Sequence, residues 1–212
     1  MNTVEINIEH YFHALNTFLL GDIQVFNKNC ELADKAKEYY HPSAETTLKT
    51  LIQNDPPPYS SIYPDPGSQV MAYYFENPNP RLTIPLTLTL FSAMELLGIF
   101  YTGKTNPGST TANLKAFINK VPSDKRPTQD QVRILINIYR HGLAHRYFAK
   151  EQYSLSFSFL DPERLFFGQN DRCLNVNYLK QIFLAGFYAI QMDKENYSIM
   201  DANIKKMLMQ KI

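Results

Sequence analysis

The chain has 212 residues, of which 44% are apolar and 19% are charged, and its 21 basic and 20 acidic residues leave a net charge of +1. A chain of this length buries roughly 70% of the surface that its unfolded form exposes, so it needs neither a disulfide nor a metal ion to fold. The composition excludes disordered, collagen-like and disulfide-rich proteins. Its two cysteines, Cys30 and Cys173, favour free thiols in a reducing, cytoplasmic setting.

Helical periodicity dominates the first half of the chain. Apolar spacing predicts a helix over residues 3–20 that ends at Gly21, followed by a second helical segment over 22–40 and a short helix from Ser43. Residues 54–68 contain five prolines and are predicted to form a stiff, polyproline-like loop, with an SH3-type ligand as the alternative. A second turn cluster, NPNPR, follows at 77–81.

The most apolar stretch, residues 84–101, is predicted to be a buried helix. Its length approaches that of a membrane span, but Pro85, two threonines, one serine and Glu95 interrupt it, so no membrane contact is expected. The first ten residues carry acids instead of a basic region before an apolar run, so no secretory signal is expected there.

The second half of the chain alternates helix and strand signals. A break at Gly103 and 107–108 precedes a short helix over 110–120, and Thr128 and Gln131 form a capping-box pattern that opens a strongly apolar helix. Beyond Lys150 the apolar period changes to two, which predicts a strand from Tyr153 to Phe159 and a hairpin around 168–171. Helices over about 177–193 and 199–210 follow.

These patterns predict a single, mainly α domain over residues 1–212. Its helices are expected to form a bundle, with a small antiparallel β-hairpin or meander inserted at about 152–176.

The segment most suggestive of chemistry is YRHGLAHRYF, residues 139–148. Six basic residues and one acid give residues 125–150 a net charge of +5 on an otherwise slightly acidic chain. Such a patch indicates either a phosphate-binding site or a solvated helix end, where the helix dipole favours basic residues. The basic residues are Lys125, Arg126, Arg133, Arg140, Arg146 and Lys150.

Arginine and histidine together suffice for metal-independent cleavage of RNA. The guanidinium grips phosphate oxygens with two bonds, and an imidazole titrates near neutrality and can accept the 2′-hydroxyl proton. On a straight helix, however, Arg140 and His145 lie roughly 140° and 7.5 Å apart. They reach one phosphate only if Gly142 kinks or ends the helix, or if a two-fold axis joins the Arg of one subunit to the His of another.

The string RHGLAH resembles the motif of the HEPN superfamily (higher eukaryote and prokaryote nucleotide-binding domains), an Arg followed by a polar residue and then a His after four to six intervening residues. The wider stretch of residues 86–150 is also similar to a group of bacterial HEPN-like proteins. The resemblance implies an antiparallel helical bundle that dimerises around the motif. In many members it implies a metal-independent endoribonuclease that leaves a 2′,3′-cyclic phosphate and serves as a toxin or defence factor.

The candidate catalytic residues are therefore Arg140 and His145, with His141 assisting, and the candidate binding residues are Arg133, Arg146 and Lys150. Glu95 is the sole charge between Arg81 and Lys104. A buried carboxylate is costly unless it is paired, so we expect Glu95 either to pair with Arg140 or Arg133 or to lie on a solvated helix edge.

Alternative chemistries have less support. His141 and His145, four residues apart, would allow a zinc site, but no third ligand is evident, so neither metal nor other cofactor is expected. Three functions stay open: a dimeric ribonuclease, a catalytically silent nucleotide- or RNA-binding module, and a protein-interaction factor. The expected partners are a second copy of the chain, RNA, and an antitoxin or other protein.

Overall fold

The computed structural model describes residues 7–38, 83–146, 153–157 and 163–209, and within these ranges it is mainly helical with a small three-stranded sheet. Two helices contain a π-helical turn: α1 joins Ile8–Ala14, Leu15–Leu19 and Leu20–Glu38, and α4 joins Gln129–Ile134, Leu135–Arg140 and His141–Arg146. The remaining helices are α2 (Thr83–Thr102), α3 (Thr110–Lys120), α5 (Val176–Met192) and α6 (Tyr197–Met209). The strands are β1 (Ser154–Ser156), β2 (Phe166–Phe167) and β3 (Cys173–Asn175).

Helix α2 is the centre of the described core and packs against α1, α3, α5 and α6. Its residues Leu86, Leu90, Leu97 and Phe100 are fully buried. The ring of Phe12 on α1 lies 6.1 Å from that of Phe100 and 6.0 Å from that of Phe187 on α5. Burial of large apolar and aromatic side chains from several helices in one cluster supplies the main driving force for this fold.

The same helix is long and apolar enough to cross a membrane by length and composition alone, and half of its apolar window is buried inside the fold. The prediction of a buried helix is confirmed, with the bounds extended to Thr83–Thr102. Pro85 fits because it lies in the first turn, where its missing N–H has no helical acceptor. The helix ends at Gly103, whose φ of +61° favours glycine.

Helices α2 and α3 approach each other closely at Gly98. A Cβ atom at this position would lie 1.9 Å from the backbone oxygen of Asn113 on α3, a contact that no real structure tolerates. Asn113 is itself buried, accepts a 2.5 Å hydrogen bond from the Thr102 hydroxyl and donates one of 2.9 Å to the Lys104 carbonyl. Glycine is thus required for the helix contact that positions α3.

The first helix differs from its predicted form. We expected Gly21 to end it, but α1 continues from Ile8 to Glu38, and the two predicted segments are one helix. A glycine costs a helix only about 1 kcal/mol relative to alanine. Burial of Ile23 and Cys30 beyond it outweighs that cost. The helix predicted from Ser43, the loop at 54–68 and the turn cluster at 77–81 lie outside the described residues.

The small sheet is mixed, which corrects the antiparallel prediction. Its order is β1-β3-β2, with β2 and β3 paired antiparallel across the predicted hairpin and β1 paired parallel to β3. The buried hydroxyl of Tyr139 on α4 lies 3.0 Å from both the Ser154 and the Arg172 carbonyl oxygens. These two carbonyls lie where β1 and β3 begin, so this contact joins the starts of the two parallel strands.

A polar cluster at the end of α5 ties three helices together. The carboxylate of Asp193 accepts hydrogen bonds of 2.7 Å from the Tyr101 hydroxyl and 2.8 Å from Lys120 Nζ, and another from the Asn196 amide. Burial alone would raise the Asp193 pKa, but the hydrogen bonds from Lys120, Asn196 and Tyr101, with the charge of Lys120, lower it to about 2. The ionised carboxylate is therefore the form that stabilises the fold.

The close approach at Gly98 gives a test of the helix packing. We expect Gly98→Ala to lower the free energy of unfolding by about 1–3 kcal/mol or more, because the added methyl group meets backbone instead of a flexible side chain. The control is Gly21→Ala, where a Cβ meets nothing within 4 Å; it should raise stability by about 0.5–1 kcal/mol. Urea unfolding measures both. Equal effects would show that the α2–α3 contact is not tight.

The Asp193 cluster predicts a defined pH dependence. Since folding lowers the Asp193 pKa to about 2 from an ordinary value of about 3.9, its stabilising effect is complete above pH 4 and is lost as the pH falls towards 2. The free energy of unfolding of the wild type should exceed that of Asp193→Asn by about 2 kcal/mol at pH 6, and this difference should shrink below pH 4. Urea unfolding at pH values from about 2.5 to 6 measures this difference. Asp130→Asn, in a solvent-exposed ion pair, is the control.

Candidate functional site

Helix α4 carries the RHGLAH segment and begins at the predicted capping box. The Thr128 side chain accepts from the Gln131 N–H, and the Gln131 side chain accepts from the Thr128 N–H, so two unpaired donors of the first turn are satisfied. The π-helical turn Leu135–Arg140 ends at the candidate arginine, and such turns are frequent at functional sites. The helix then continues through the buried Gly142 to Arg146. Of the two ways to bring Arg140 and His145 together, a helix end at Gly142 is therefore excluded.

Arg140 is held by Glu95 of α2 in a two-point ion pair. Its Nε lies 2.5 Å from Glu95 Oε1, and its Nη2 lies 3.1 Å from Oε2. The two side chains are only 19% and 18% exposed. The structure thus chooses Arg140 over Arg133 as the partner of Glu95 and excludes the solvated helix edge. A bidentate geometry fixes the guanidinium plane as well as its position.

A third residue completes the setting of Arg140. The hydroxyl of Thr110, at the start of α3, lies 3.4 Å from Arg140 Nη2. The remaining nitrogen, Nη1, has no hydrogen-bond partner among the described residues. Arg140 therefore has two of its nitrogens engaged and one left to bind an anion. No sequence pattern pointed to Thr110, because its role depends on the packing of α3 beside α4.

Tyr139 anchors α4 to the small sheet. Its ring is fully buried and stacks at 5.9 Å on Phe166 of β2. Burial, followed by the influence of Cys173, raises its pKa, so the phenol stays protonated and its O–H remains a donor to the strand carbonyls. Arg140 thus follows a residue that the sheet holds firmly.

The other predicted site residues divide into two groups. His141 is half-buried. The Arg133 side chain is 71% exposed, and its Nη2 lies 3.2 Å from Oδ1 of Asp130, whose side chain is 84% exposed. The backbone of α4 includes His145 and Arg146, but their side chains, and all of Lys150, lie outside the described residues. What the structure brings together is therefore Arg140, Glu95 and Thr110.

A groove between α3 and α4 has a volume of about 740 Å³ and was not predicted. Its walls include Thr111 and Lys115 of α3, Arg133 and Asn137 of α4, and Arg126 of the connecting loop. Of these, only Arg133 was selected as a binding residue from the sequence. Within the described ranges, no group of three or more His, Cys, Asp or Glu side chains is arranged to hold a metal ion.

Comparison of the chain with protein-family models, curated proteins and solved structures finds no match.

The Glu95–Arg140 pair predicts strong energetic coupling. Because each partner would leave a largely buried charge unpaired, Glu95→Gln and Arg140→Gln should each cost about 1–3 kcal/mol of unfolding free energy. The double variant should cost clearly less than their sum, with a coupling of roughly 0.5–3 kcal/mol. The exposed pair Asp130–Arg133 is the control and should show no measurable coupling. Equal coupling in both pairs would contradict the packing role of Glu95.

Proposed function

We propose that this chain is a metal-independent endoribonuclease of the HEPN type that acts as a homodimer in the cytoplasm. The observation that carries the proposal is the fixed guanidinium of Arg140, which Glu95 holds at two nitrogens while Nη1 is left without a described partner. Preorganised charge beside a scissile phosphate is a major source of catalysis in phosphoryl transfer. His145 follows five residues later on the same helix.

The proposed reaction needs one proton acceptor and one fixed cation. The His145 imidazole takes the proton of the 2′-hydroxyl, O2′ forms a bond to the adjacent phosphorus, and the P–O5′ bond breaks. The protonated imidazole, assisted by His141, returns a proton to the departing O5′. The products are a 2′,3′-cyclic phosphate and a 5′-hydroxyl end. Arg140 stabilises the negative charge that accumulates on the phosphate oxygens.

The distance along α4 supports the homodimer. Since the helix continues through Gly142, Arg140 and His145 remain about 7.5 Å apart along its axis. A two-fold axis beside α4 would let the Arg140 of one subunit face the His145 of another. Arg146 and Lys150, on the same basic segment, would bind flanking phosphates. By the HEPN resemblance, such an enzyme would serve as a toxin or defence factor, with an antitoxin as its further partner.

A catalytically silent RNA-binding module is the second candidate. The same ion pair favours it. Glu95 neutralises the charge of Arg140, so the guanidinium stabilises a negatively charged transition state less well, although its position for binding a phosphate is kept. Such a module would retain RNA and release no products.

Incubation of the purified chain with total RNA in EDTA tests the proposal. The wild type should produce fragments with 2′,3′-cyclic phosphate ends. His145→Ala should lower the single-turnover rate by roughly 10²- to 10⁴-fold, and Arg140→Ala by roughly 10²- to 10³-fold. Matched controls are His13→Ala and Arg164→Ala, since both side chains are exposed and far along the chain from the motif; they should retain full activity.

The same preparations separate the alternatives. Binding without cleavage by the wild type would support the silent module and refute the enzyme. Mixing Arg140→Ala with His145→Ala subunits tests the shared site, because a mixed dimer then contains one intact Arg–His pair. Random exchange should restore about a quarter of the wild-type activity. A mixture as inactive as its components would place both residues in one subunit.

A further inference from the structure

We infer that the groove between α3 and α4 binds the sugar–phosphate backbone of single-stranded RNA and directs the strand to Arg140. The inference rests on the proposed function for the identity of the polymer, but it does not depend on catalysis. It assigns a binding role to Lys115 and Arg126.

The first argument is the balance of charge in the groove. Lys115 and Arg126 lie on its walls, and among the described residues neither the Lys115 ammonium nor the two terminal nitrogens of Arg126 has a hydrogen-bond partner or an acidic partner. Among the described residues that line the groove, the sole acid is Asp130, which pairs with Arg133. Uncompensated positive charge therefore collects here, and it attracts a polyanion.

The second argument is that Arg126 is held in place before any ligand binds. Its Nε donates a 2.9 Å hydrogen bond to the Val121 carbonyl at the end of α3. This bond fixes the guanidinium in the α3–α4 connection, and it leaves both terminal nitrogens to grip phosphate oxygens. A cation fixed in advance loses less conformational entropy on binding than a free side chain does.

The third argument is the direction of the groove. On α3 its lining extends from Asn119, near Arg126, back to Thr111. That is a length of roughly 12 Å along the helix. The neighbour of Thr111, Thr110, has its hydroxyl 3.4 Å from Arg140 Nη2. One end of the groove is thus the connecting loop, and the other end lies beside Thr110, which contacts the residue proposed to act on the phosphate.

The lining also indicates which part of the RNA is recognised. Sequence-tolerant binding of single strands usually combines a basic groove with aromatic rings that stack on the bases. The described residues that line this groove include no aromatic side chain, but they do include the amides of Asn119 and Asn137. The groove is therefore suited to the phosphate backbone instead of bases, and binding should show little sequence preference.

Salt-dependent binding tests the inference on the full-length chain. The probe is a fluorescent single-stranded 2′-O-methyl oligouridylate of about 12 nucleotides, which cannot be cleaved because its 2′ oxygens are blocked. Fluorescence anisotropy gives affinity as a function of salt. Lys115→Ala and Arg126→Ala should each weaken binding and lower the slope of log affinity against log salt by about 0.7. The double variant should lower it by about 1.4.

Two matched controls define the background. Lys206→Ala removes an exposed lysine from α6, and Arg172→Ala removes an exposed arginine outside the groove; both should leave affinity and slope unchanged. Urea unfolding confirms that each variant is folded. Because Lys115 is an exposed helix residue, its substitution keeps the test decisive even if Arg126→Ala proves unstable.

The outcomes separate this inference from the proposed function. If the wild type binds the probe and the groove variants match the controls, the inference is overturned, whether or not RNA is cleaved. If the groove variants lose affinity but unmodified RNA is never cleaved, the inference stands and the enzyme is refuted. A wild type that does not bind the probe overturns the groove even where cleavage is seen.

Discussion

The ion pair between Glu95 and Arg140 is the contact on which the arrangement of the site depends. Helix α2 is buried among four other helices, and Glu95 is the sole charge in its sequence. Two largely shielded charges are stable only when each satisfies the other, so the pair fixes α4 at one position along α2. The positions of the later residues on α4 therefore depend on this contact. The same contact orients the guanidinium and determines how much of it remains to bind an anion.

The packing of α3 links this pair to the groove. Gly98 lets the backbone of α3 approach α2, and Thr110, at the start of α3, then contacts the guanidinium of Arg140. The other end of α3 holds Arg126 through the Val121 carbonyl. A single helix thus positions a cation at the connecting loop and a hydroxyl beside the candidate site. This explains how a chain with a net charge of +1 presents a local basic surface.

Local signals in the sequence were sufficient where the responsible groups are close in the chain. The capping box at Thr128, the helix end at Gly103 and the hairpin before β3 all depend on residues a few positions apart, and all were predicted correctly. The pairing of Glu95 was also foreseeable, because a lone charge in an apolar helix requires a partner. Its choice of Arg140 over Arg133 was not, since it depends on the relative placement of two helices.

The remaining differences arise from contacts between distant residues. The parallel direction of β1 depends on its pairing with β3, which no alternation pattern within the strands reveals. The continuity of α1 depends on burial beyond Gly21, which outweighs the local preference of glycine. The groove depends on how α3 and α4 lie beside each other, so Lys115 had no signal in the sequence. Charge density alone indicated Arg126, without its tether to Val121.

The π-helical turn at Leu135–Arg140 has a consequence for how this segment tolerates change in length. A wider turn accommodates one more residue than an α-helical turn, and each residue of an α-helix rotates the chain by about 100°. Loss of one residue from this turn would let it relax to α-helix and would leave the later positions of α4, His145 included, on nearly the same faces relative to the core, because the wider turn has already absorbed the rotation that the extra residue would cause. Homologous chains can therefore differ by one residue between Thr128 and Arg140, with the π-helical turn present in the longer chains and absent from the shorter ones.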